Sequence, residues 1–368
     1  MARKLKSDKV LFITAMLLVC VSIVMVYSAS ARVALTDDWG DRYHFVTKQT
    51  LWAVLGIATL AVAMRIDYRA YRNDAFIYGL VGAVAFLLVA VFLTDSVKGA
   101  HRWLNVGGLG IQPSEFAKIV CVLFTAMILE RRMHRIDEPG YALLPIAIVV
   151  GALLALIWKE PDFGTTASLL LVVAVMIFAA GLHYKHLITV ALTGLPLFVI
   201  ALISATYRMR RLTAFFSSTP DTRGDGYQAY QSMLAVASGG LFGRGLSNGV
   251  QKLGYVPEAP TDFIFAVIGE ELGIIGATGI LICFCVITWR GLRIALRAED
   301  QFGAFIATGL TTMLCAQALI NMSVVLRMMP TKGIPLPLVS FGGSSLLVSL
   351  LAVGMLLNIS QHAVTAEA

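Results

Sequence analysis

Ten stretches of this chain are apolar over, or nearly over, the length that a helix needs to cross a bilayer, and that recurrence constrains the fold more than any other feature. A hydrocarbon core of about 30 Å takes about 20 apolar helical residues to span. The stretches run Val10–Ser30, Gln49–Met64, Ala75–Leu93, Ser114–Ile128, Ala142–Ile157, Thr165–Ala180, His186–Ala205, Phe263–Trp289, Phe302–Leu326 and Pro337–Ile359. They predict an all-α polytopic membrane protein, a single domain over residues 1–368. It is a bundle of about ten transmembrane helices with a large outer loop, about 206–262, between the seventh and eighth spans.

Composition excludes the alternatives. Hydrophobic residues make up 58% of the chain, charged residues 14%, and mean hydropathy is +0.80. Soluble globular chains hold about 25% charged residues. Disorder, a nucleic-acid module and an ordinary cytosolic enzyme are therefore excluded, and no nucleic-acid partner is expected. The basic Met1–Lys9 before an apolar run, with Ser28-Ala29-Ser30-Ala31 after it, imitates a cleaved signal peptide. The apolar region of such a peptide is about 7–15 residues long; Val10–Val26 is longer, so an uncleaved first helix is expected. All five cysteines fall inside apolar runs and read as buried free thiols.

Lys and Arg set the orientation. With the N-terminus inside, the inner segments hold 14 of them and the four short outer loops hold eight, with six more in the long loop, whose charges weigh less. Both termini are expected on the cytoplasmic side of the membrane. The outer basic residues have no topological reason to collect there. A negatively charged ligand on that face, such as a lipid diphosphate, explains them as a set; salt bridges to Asp37, Asp38, Asp41, Asp221 and Asp225 explain them singly.

Four segments carry chemistry. In Lys98–Lys118, Pro113 suits the first position of a helix, Glu115 its first turn, and Lys118 follows on the same face. An ammonium in an otherwise apolar helix faces the protein interior and a partner, whether in a structural Glu115–Lys118 pair or in a polar cavity open to the outer surface. In Trp158–Thr166, Asp162 fits a helix cap that can also line a cavity. The long loop begins with Arg208-Met209-Arg210-Arg211, is rich in glycine read as turn chemistry, and ends at Asp262 with Thr261 as a candidate N-cap. A carboxylate at that helix start suits proton abstraction from a hydroxyl, or simply serves the helix dipole. Glu270 and Glu271, about two turns deeper, read as structural. Finally, prolines and Gly342-Gly343 interrupt the approach to the tenth span, as backbone lining a cavity can, with helix packing through small residues as the other reading. Walker-type loops, zinc spacings and Gly-x-Ser-x-Gly elbows are absent from the sequence, and no organic cofactor is expected.

Together these segments resemble the SEDS family, the FtsW/RodA proteins of bacterial cell division and elongation. The matching pieces are Lys98-Gly-Ala-x-Arg-Trp103, Gln112-Pro-Ser-Glu-x-Ala-Lys118, Pro161-Asp-Phe-Gly-Thr165, Tyr227-Gln-x-x-Gln-Ser232, Pro257-Glu-Ala-x-Thr-Asp-Phe-Ile-Phe265, Gly269-Glu-Glu-Leu-Gly273, Pro330-Thr-Lys-Gly-Ile-Pro-Leu-Pro337 and Ser340-Phe-Gly-Gly-Ser-Ser345. Val26–Ala31 and Val267–Glu271 look closer to the division branch; Pro260 stands where division members often have His. The resemblance implies a peptidoglycan glycosyltransferase that polymerises lipid II at the outer membrane face, inverting the donor's anomeric centre, with undecaprenyl diphosphate leaving. It implies Asp262 as the catalytic carboxylate. Arg102, Trp103, Glu115, Lys118 and Asp162 are expected in the substrate cavity, joined by the basic Arg211 and Lys332. A divalent cation, Mg or Mn, is a possible cofactor, with Glu115, Asp162 and Asp262 as candidate ligands. The expected partners are lipid II, a class B penicillin-binding protein and other divisome membrane proteins. A lipid II flippase, the elongation polymerase and a scaffold without chemistry are the alternatives.

Overall fold

Nine of the ten apolar stretches form helices in the computed structural model, and the seventh, His186–Ala205, lies outside the described residues but for isolated positions. The structure describes residues 7–30, 43–94, 101–107, 109–136, 138–183, 206–216 and 226–363, with the single positions 185, 188, 192 and 224. The helices are α1 (Lys9–Ser30), α2 (His44–Arg65), α3 (Asp74–Val91), α4 (Pro113–Arg132), α5 (Leu144–Lys159), α6 (Phe163–Ala179), α7 (Thr206–Phe216), α8 (Tyr227–Gly239), α9 (Ile264–Arg297), α10 (Gln301–Val325) and α11 (Gly343–Gln361). A short antiparallel hairpin, β1 (Leu104–Val106) and β2 (Leu109–Ile111), is added to the expected all-α architecture.

Local chemistry fixes several helix ends. Pro113 opens α4, Glu115 lies in its first turn, and Arg131 and Arg132 lie in its last, each on the side that the helix dipole favours. Asn73 caps α3 by accepting from the Ala75 amide at 2.9 Å, and Asp300 caps α10 by accepting from Gly303 at 2.8 Å. Thr261 does not cap α9; its hydroxyl bonds Glu258, and Phe263 precedes the helix without a side-chain cap.

The centre of the bundle is α4, α10 and α11. Every α4 residue from Ala117 to Leu129 is buried. In α11, 89% of the most apolar stretch is buried inside the protein, against 22% in α3 and α9; those outer helices turn their apolar side chains outward, as lipid contact requires. Between α2 and α11 small residues let the backbones approach. A Cβ on Gly354 would lie 2.8 Å from the Leu60 carbonyl oxygen, and one on Gly343 would overlap the Trp52 ring.

The first and last described stretches of the chain meet at one end of the bundle. The Asp8 amide donates to Ser360 Oγ at 3.2 Å, and Asp8 pairs with Arg290. At the same end Arg69 pairs with Glu299, Arg72 with Glu130 and Arg131 with Asp74. The segments that carry the sequence motifs gather at the opposite end.

α9 is broken at Gly273, where φ is +66°, a value that favours glycine. The break removes ordinary helical bonds, and the loop after α8 replaces them. Arg244 and Gly245 amides donate to the Glu270 and Glu271 carbonyls, both at 3.0 Å, and the Ile274 and Ile275 amides donate to Gly240 and Leu241 carbonyls. Glycines expected only to form turns are required here for close approach: a Cβ on Gly239 would overlap the Gly269 carbonyl, and one on Gly243 the Glu271 carbonyl. Glu270 and Glu271 serve the same join. Glu270 accepts from the Val250 amide at 2.8 Å, while Glu271 is bound by Ser28 and by Lys252 Nζ, at 2.6 Å each. All three ionic side chains are buried, which accords with the structural role expected of the two glutamates.

Candidate functional site

The segment Pro330–Gly342, between α10 and α11, is the hub of the site. It is irregular because it holds three prolines, each lacking an amide hydrogen, and its backbone oxygens are taken up by side chains of α10. Gln317 Nε2 donates to the Pro335 carbonyl at 3.1 Å. Asn321 Nδ2 donates to the Ile334 carbonyl and to the Asp262 carbonyl, both at 2.7 Å. One amide group thus pins the hub to the strand of chain that carries Asp262. A second tie is the Phe341 amide, which donates to the Pro260 carbonyl at 2.9 Å.

The Asp262 carboxylate rests against the hub. A Cβ on Gly333 would stand 2.7 Å from Asp262 Oδ2, so glycine there makes room for the carboxylate. Asp262 is half-buried, which leaves it open to a ligand.

Lys118 and Glu115 lie on the same side of the hub, on α4. The Lys118 ammonium donates to Glu115 Oε1 at 2.7 Å and to Gln317 Oε1 at 3.0 Å, and both charged residues are buried. Of the two alternatives that the sequence left open, the structure forms the Glu115–Lys118 pair; with both side chains buried, it does not show them lining a cavity open to the outer surface. Gln317 carries the connection from Lys118 to the hub.

Asp162 caps α6 as expected: it accepts from the Thr165 amide at 3.1 Å and the Thr165 hydroxyl at 2.8 Å. It also accepts from Gln112 Nε2 at 3.3 Å, while the Gln112 amide donates to Ser344 Oγ at 3.0 Å. The starts of α4, α6 and α11 therefore meet at one point. Gly164 seats this turn on the hub, since a Cβ there would fall 2.8 Å from Ile334 Cγ1. Gly343 packs on Trp52 and Ser344 is buried on the Gln112 amide, so the small residues here serve packing and local bonding.

The expected basic residues divide. Lys332 Nζ lies 4.0 Å from the Phe163 ring centroid, within reach of the site, and Arg211 on α7 donates to the Thr331 carbonyl at 3.4 Å. The Arg102 guanidinium donates to the Glu160 and Pro161 carbonyls at 2.9 and 2.7 Å, holding the turn that presents Asp162. Trp103 covers Gly110 of the hairpin, whose Cβ would stand 3.3 Å from its ring. Lys98, Arg32 and Arg42, and the aspartates at 37, 38, 41, 221 and 225, lie outside the described residues.

The three carboxylates named as candidate metal ligands keep separate partners: Lys118 for Glu115, Thr165 and Gln112 for Asp162, the hub for Asp262. Among the described residues no group of three or more His, Cys, Asp or Glu side chains is placed to hold a metal ion. These residues do not form a ligand set, and no step is routed through a metal here.

Three residues escaped the sequence reading. Gln317 and Asn321 stand four apart on an apolar helix, one face of which they make polar; that spacing was the available signal. Glu160 gave none, because it sits among turn residues. It is fully buried and neither carboxylate oxygen has a hydrogen-bond partner. Burial, then the neighbouring Asp162 charge, push its carboxyl up to about 8 against the pull of Arg102. Below about 4.5 the group is protonated whether the chain is folded or not; between there and about 8 only the unfolded chain gives up the proton. Stability conferred by this proton is complete at the acid end and is lost as pH rises through 8. Glu160→Gln should match wild type in thermal unfolding at acid pH and exceed it at pH 8 and above, by several degrees. Parallel curves for the two proteins would show that Glu160 is not held neutral.

Comparison with known proteins agrees over the whole chain. The FTSW_RODA_SPOVE family model, described as cell cycle protein, matches residues 8–365. A probable peptidoglycan glycosyltransferase FtsW of Geobacter sulfurreducens is 41% identical over 356 residues, 96% of this chain and 95% of the relative. The stage V sporulation protein E of Bacillus subtilis is 40% identical over 364 residues, 98% of each. Among solved structures, a chain from a peptidoglycan synthase complex that coordinates polymerization and crosslinking superposes with a TM-score of 0.79 at 28% identity, covering 97% of this chain and 98% of that one. The rod shape determining protein RodA of Thermus thermophilus gives 0.70 at 27% identity, covering 97% of each chain.

Proposed function

Since the chain belongs to the FtsW/RodA/SpoVE family, we propose that it is a peptidoglycan glycosyltransferase that polymerises lipid II during septal wall synthesis. The observation that carries the reading is the placement of Asp262: a half-buried carboxylate fixed by Asn321 through its own backbone, beside the glycine of the hub, at the end of the bundle opposite the first and last described stretches.

The step needs three things of the protein. The GlcNAc 4-hydroxyl of the acceptor must lose its proton as its oxygen attacks C1 of the donor MurNAc; Asp262 takes that proton. The C1–O bond to the diphosphate breaks as the new C1–O4 bond forms from the opposite side, inverting the centre. The electron pair leaves with undecaprenyl diphosphate, whose charge needs compensation. Lys332, next to Thr331 in the hub, and Arg211, which donates to the Thr331 carbonyl, would give it. Lys118 acts one layer deeper, through Gln317 and the Pro335 carbonyl. Its ammonium keeps Glu115 neutralised and the hub in register. Similarity to a chain from a synthase complex supports a class B penicillin-binding protein as partner, and the relatives named FtsW support the division branch. The end carrying the site faces outward from the cytoplasmic membrane, with both termini inside; the nine Arg residues at 65, 69, 72, 131, 132, 135, 290, 293 and 297 at the opposite end favour that orientation.

Sidedness tests the reading against a flippase. Lipid II placed only in the outer-facing leaflet of proteoliposomes should be polymerised, with the cognate class B penicillin-binding protein present. Wild type should translocate lipid II no faster than Asp262→Asn. Rapid translocation by both proteins, with no glycan from either, would make the transporter the better reading.

A further inference from the structure

The loop Gly239–Gly249 belongs to the stretch expected to stand in water outside the membrane, and beside its exposed Arg244, Ser247 and Asn248 it carries three side chains that do not suit that place. Phe242 is 81% exposed, Leu241 62% and Leu246 53%. Two bonds fix where these residues sit: the Ile274 and Ile275 amides donate to the Gly240 and Leu241 carbonyls, at 2.9 and 3.3 Å. The loop tip is therefore level with residues 274–275 of α9.

That level can be measured along the helix. Below the break, α9 exposes Ile274, Ile275, Leu281, Ile282, Trp289, Leu292 and Leu296, large apolar side chains recurring on one face down to its last turn. At the far end Arg290 pairs with Asp8, and Trp289 carries Arg290 on its ring at 5.4 Å, an aromatic and basic anchor of the kind found at a membrane interface. Ile274 is 16 residues above Arg290, about 24 Å at 1.5 Å per residue. The apolar stripe ends lower, at Leu296, 22 residues or about 33 Å below Ile274, and a hydrocarbon core is about 30 Å thick, so the loop tip lies at its outer boundary. The backbone there is tolerable because the loop and the broken helix satisfy each other's amides and carbonyls; of the charges at that depth Glu270, Glu271 and Lys252 are buried, while Arg244 of the loop is 43% exposed, with its guanidinium 3.7 Å from Glu270 Oε1 and a stem long enough to carry the charge up to the headgroups.

We infer that Gly239–Gly249 is a re-entrant segment that sets Leu241, Phe242 and Leu246 into the outer leaflet, where they extend the lipid-facing stripe of α9 and are covered by phospholipid acyl chains. The segment rests on the membrane reading of the chain and is independent of the chemistry proposed for Asp262.

Spin-label accessibility tests this in the full chain, reconstituted in vesicles of phosphatidylethanolamine and phosphatidylglycerol. The five native cysteines are first replaced, and nitroxides are attached singly at Phe242→Cys, Ile282→Cys and Asn105→Cys. A thermal unfolding midpoint and a size-exclusion profile matching wild type report that each labelled protein is folded. The label at 242 should collide with oxygen in preference to a water-soluble nickel chelate, as at 282 in mid-helix, with the opposite preference at 105 in the outer hairpin. A nickel preference at 242 would place the loop in water, and low access to both reagents would place it under protein; either result overturns the inference. A photoreactive benzoylphenylalanine at 242 keeps the native cysteines and the aromatic ring. In the same vesicles it should gain the mass of one phospholipid. A cross-link to a second copy of the chain, or to no lipid at all, would overturn the inference as well.

Discussion

Asp262→Asn should yield a protein that folds, inserts and makes no glycan. The substitution keeps the size of the side chain, and the bond that fixes this position runs from Asn321 to the residue 262 backbone carbonyl, which the exchange leaves in place. Only the capacity to take a proton is lost. A general base contributes about 10²–10⁴-fold, so polymerisation of labelled lipid II should fall by at least about 100-fold while thermal unfolding stays near that of wild type. Glycan made at close to the normal rate would remove Asp262 from the mechanism.

Lys118→Ala should be nearly as severe, and Lys159→Ala should be mild. Both residues are basic, yet their settings differ. Lys159 is exposed at the end of α5, with its ammonium 5.7 Å from the Phe92 ring centroid. Lys118 is buried and neutralises Glu115; removing it leaves a buried carboxylate unpaired, at a cost of about 3–5 kcal/mol. The loss then has two sources, stability and the register of the hub. They separate in the double variant Lys118→Met with Glu115→Gln, which removes both charges together. That protein should regain stability toward wild type while staying poorly active in the same polymerisation assay. Full activity in the double variant, or equal and mild effects of the two lysine-to-alanine changes, would show the pair to be a structural salt bridge alone.

Much of this was legible in the residues. Apolar length is a one-dimensional pattern, and nine of the ten apolar stretches form helices that follow it. Asp162 and Pro113 act through bonds within their own turns, so local sequence sufficed. The hub is different. Gln317 and Asn321 matter because three backbone carbonyls from two other segments arrive beside them, and nothing on α10 states which carbonyls those will be. Arg102 was expected near the substrate because it is basic and outward. Its fork fits two carbonyls of a turn 58 and 59 residues away, a match of geometry that charge counting does not register. Glycines 239, 243 and 273 read as turns because sequence shows what a glycine permits and hides what approaches it.

The join at Gly273 also bears on how the protein can be cut and extended. Surface loops ordinarily accept inserted tags and reporter domains, and a glycine-rich stretch between two spans looks like an obvious place for one. Here the amides of Arg244 and Gly245 and the carbonyls of Gly240 and Leu241 complete the hydrogen bonding of a helix some 30 residues further on. Chain added between Gly239 and Gly249 would therefore act as a lesion within α9, and a protease that reached the loop would in effect sever that helix.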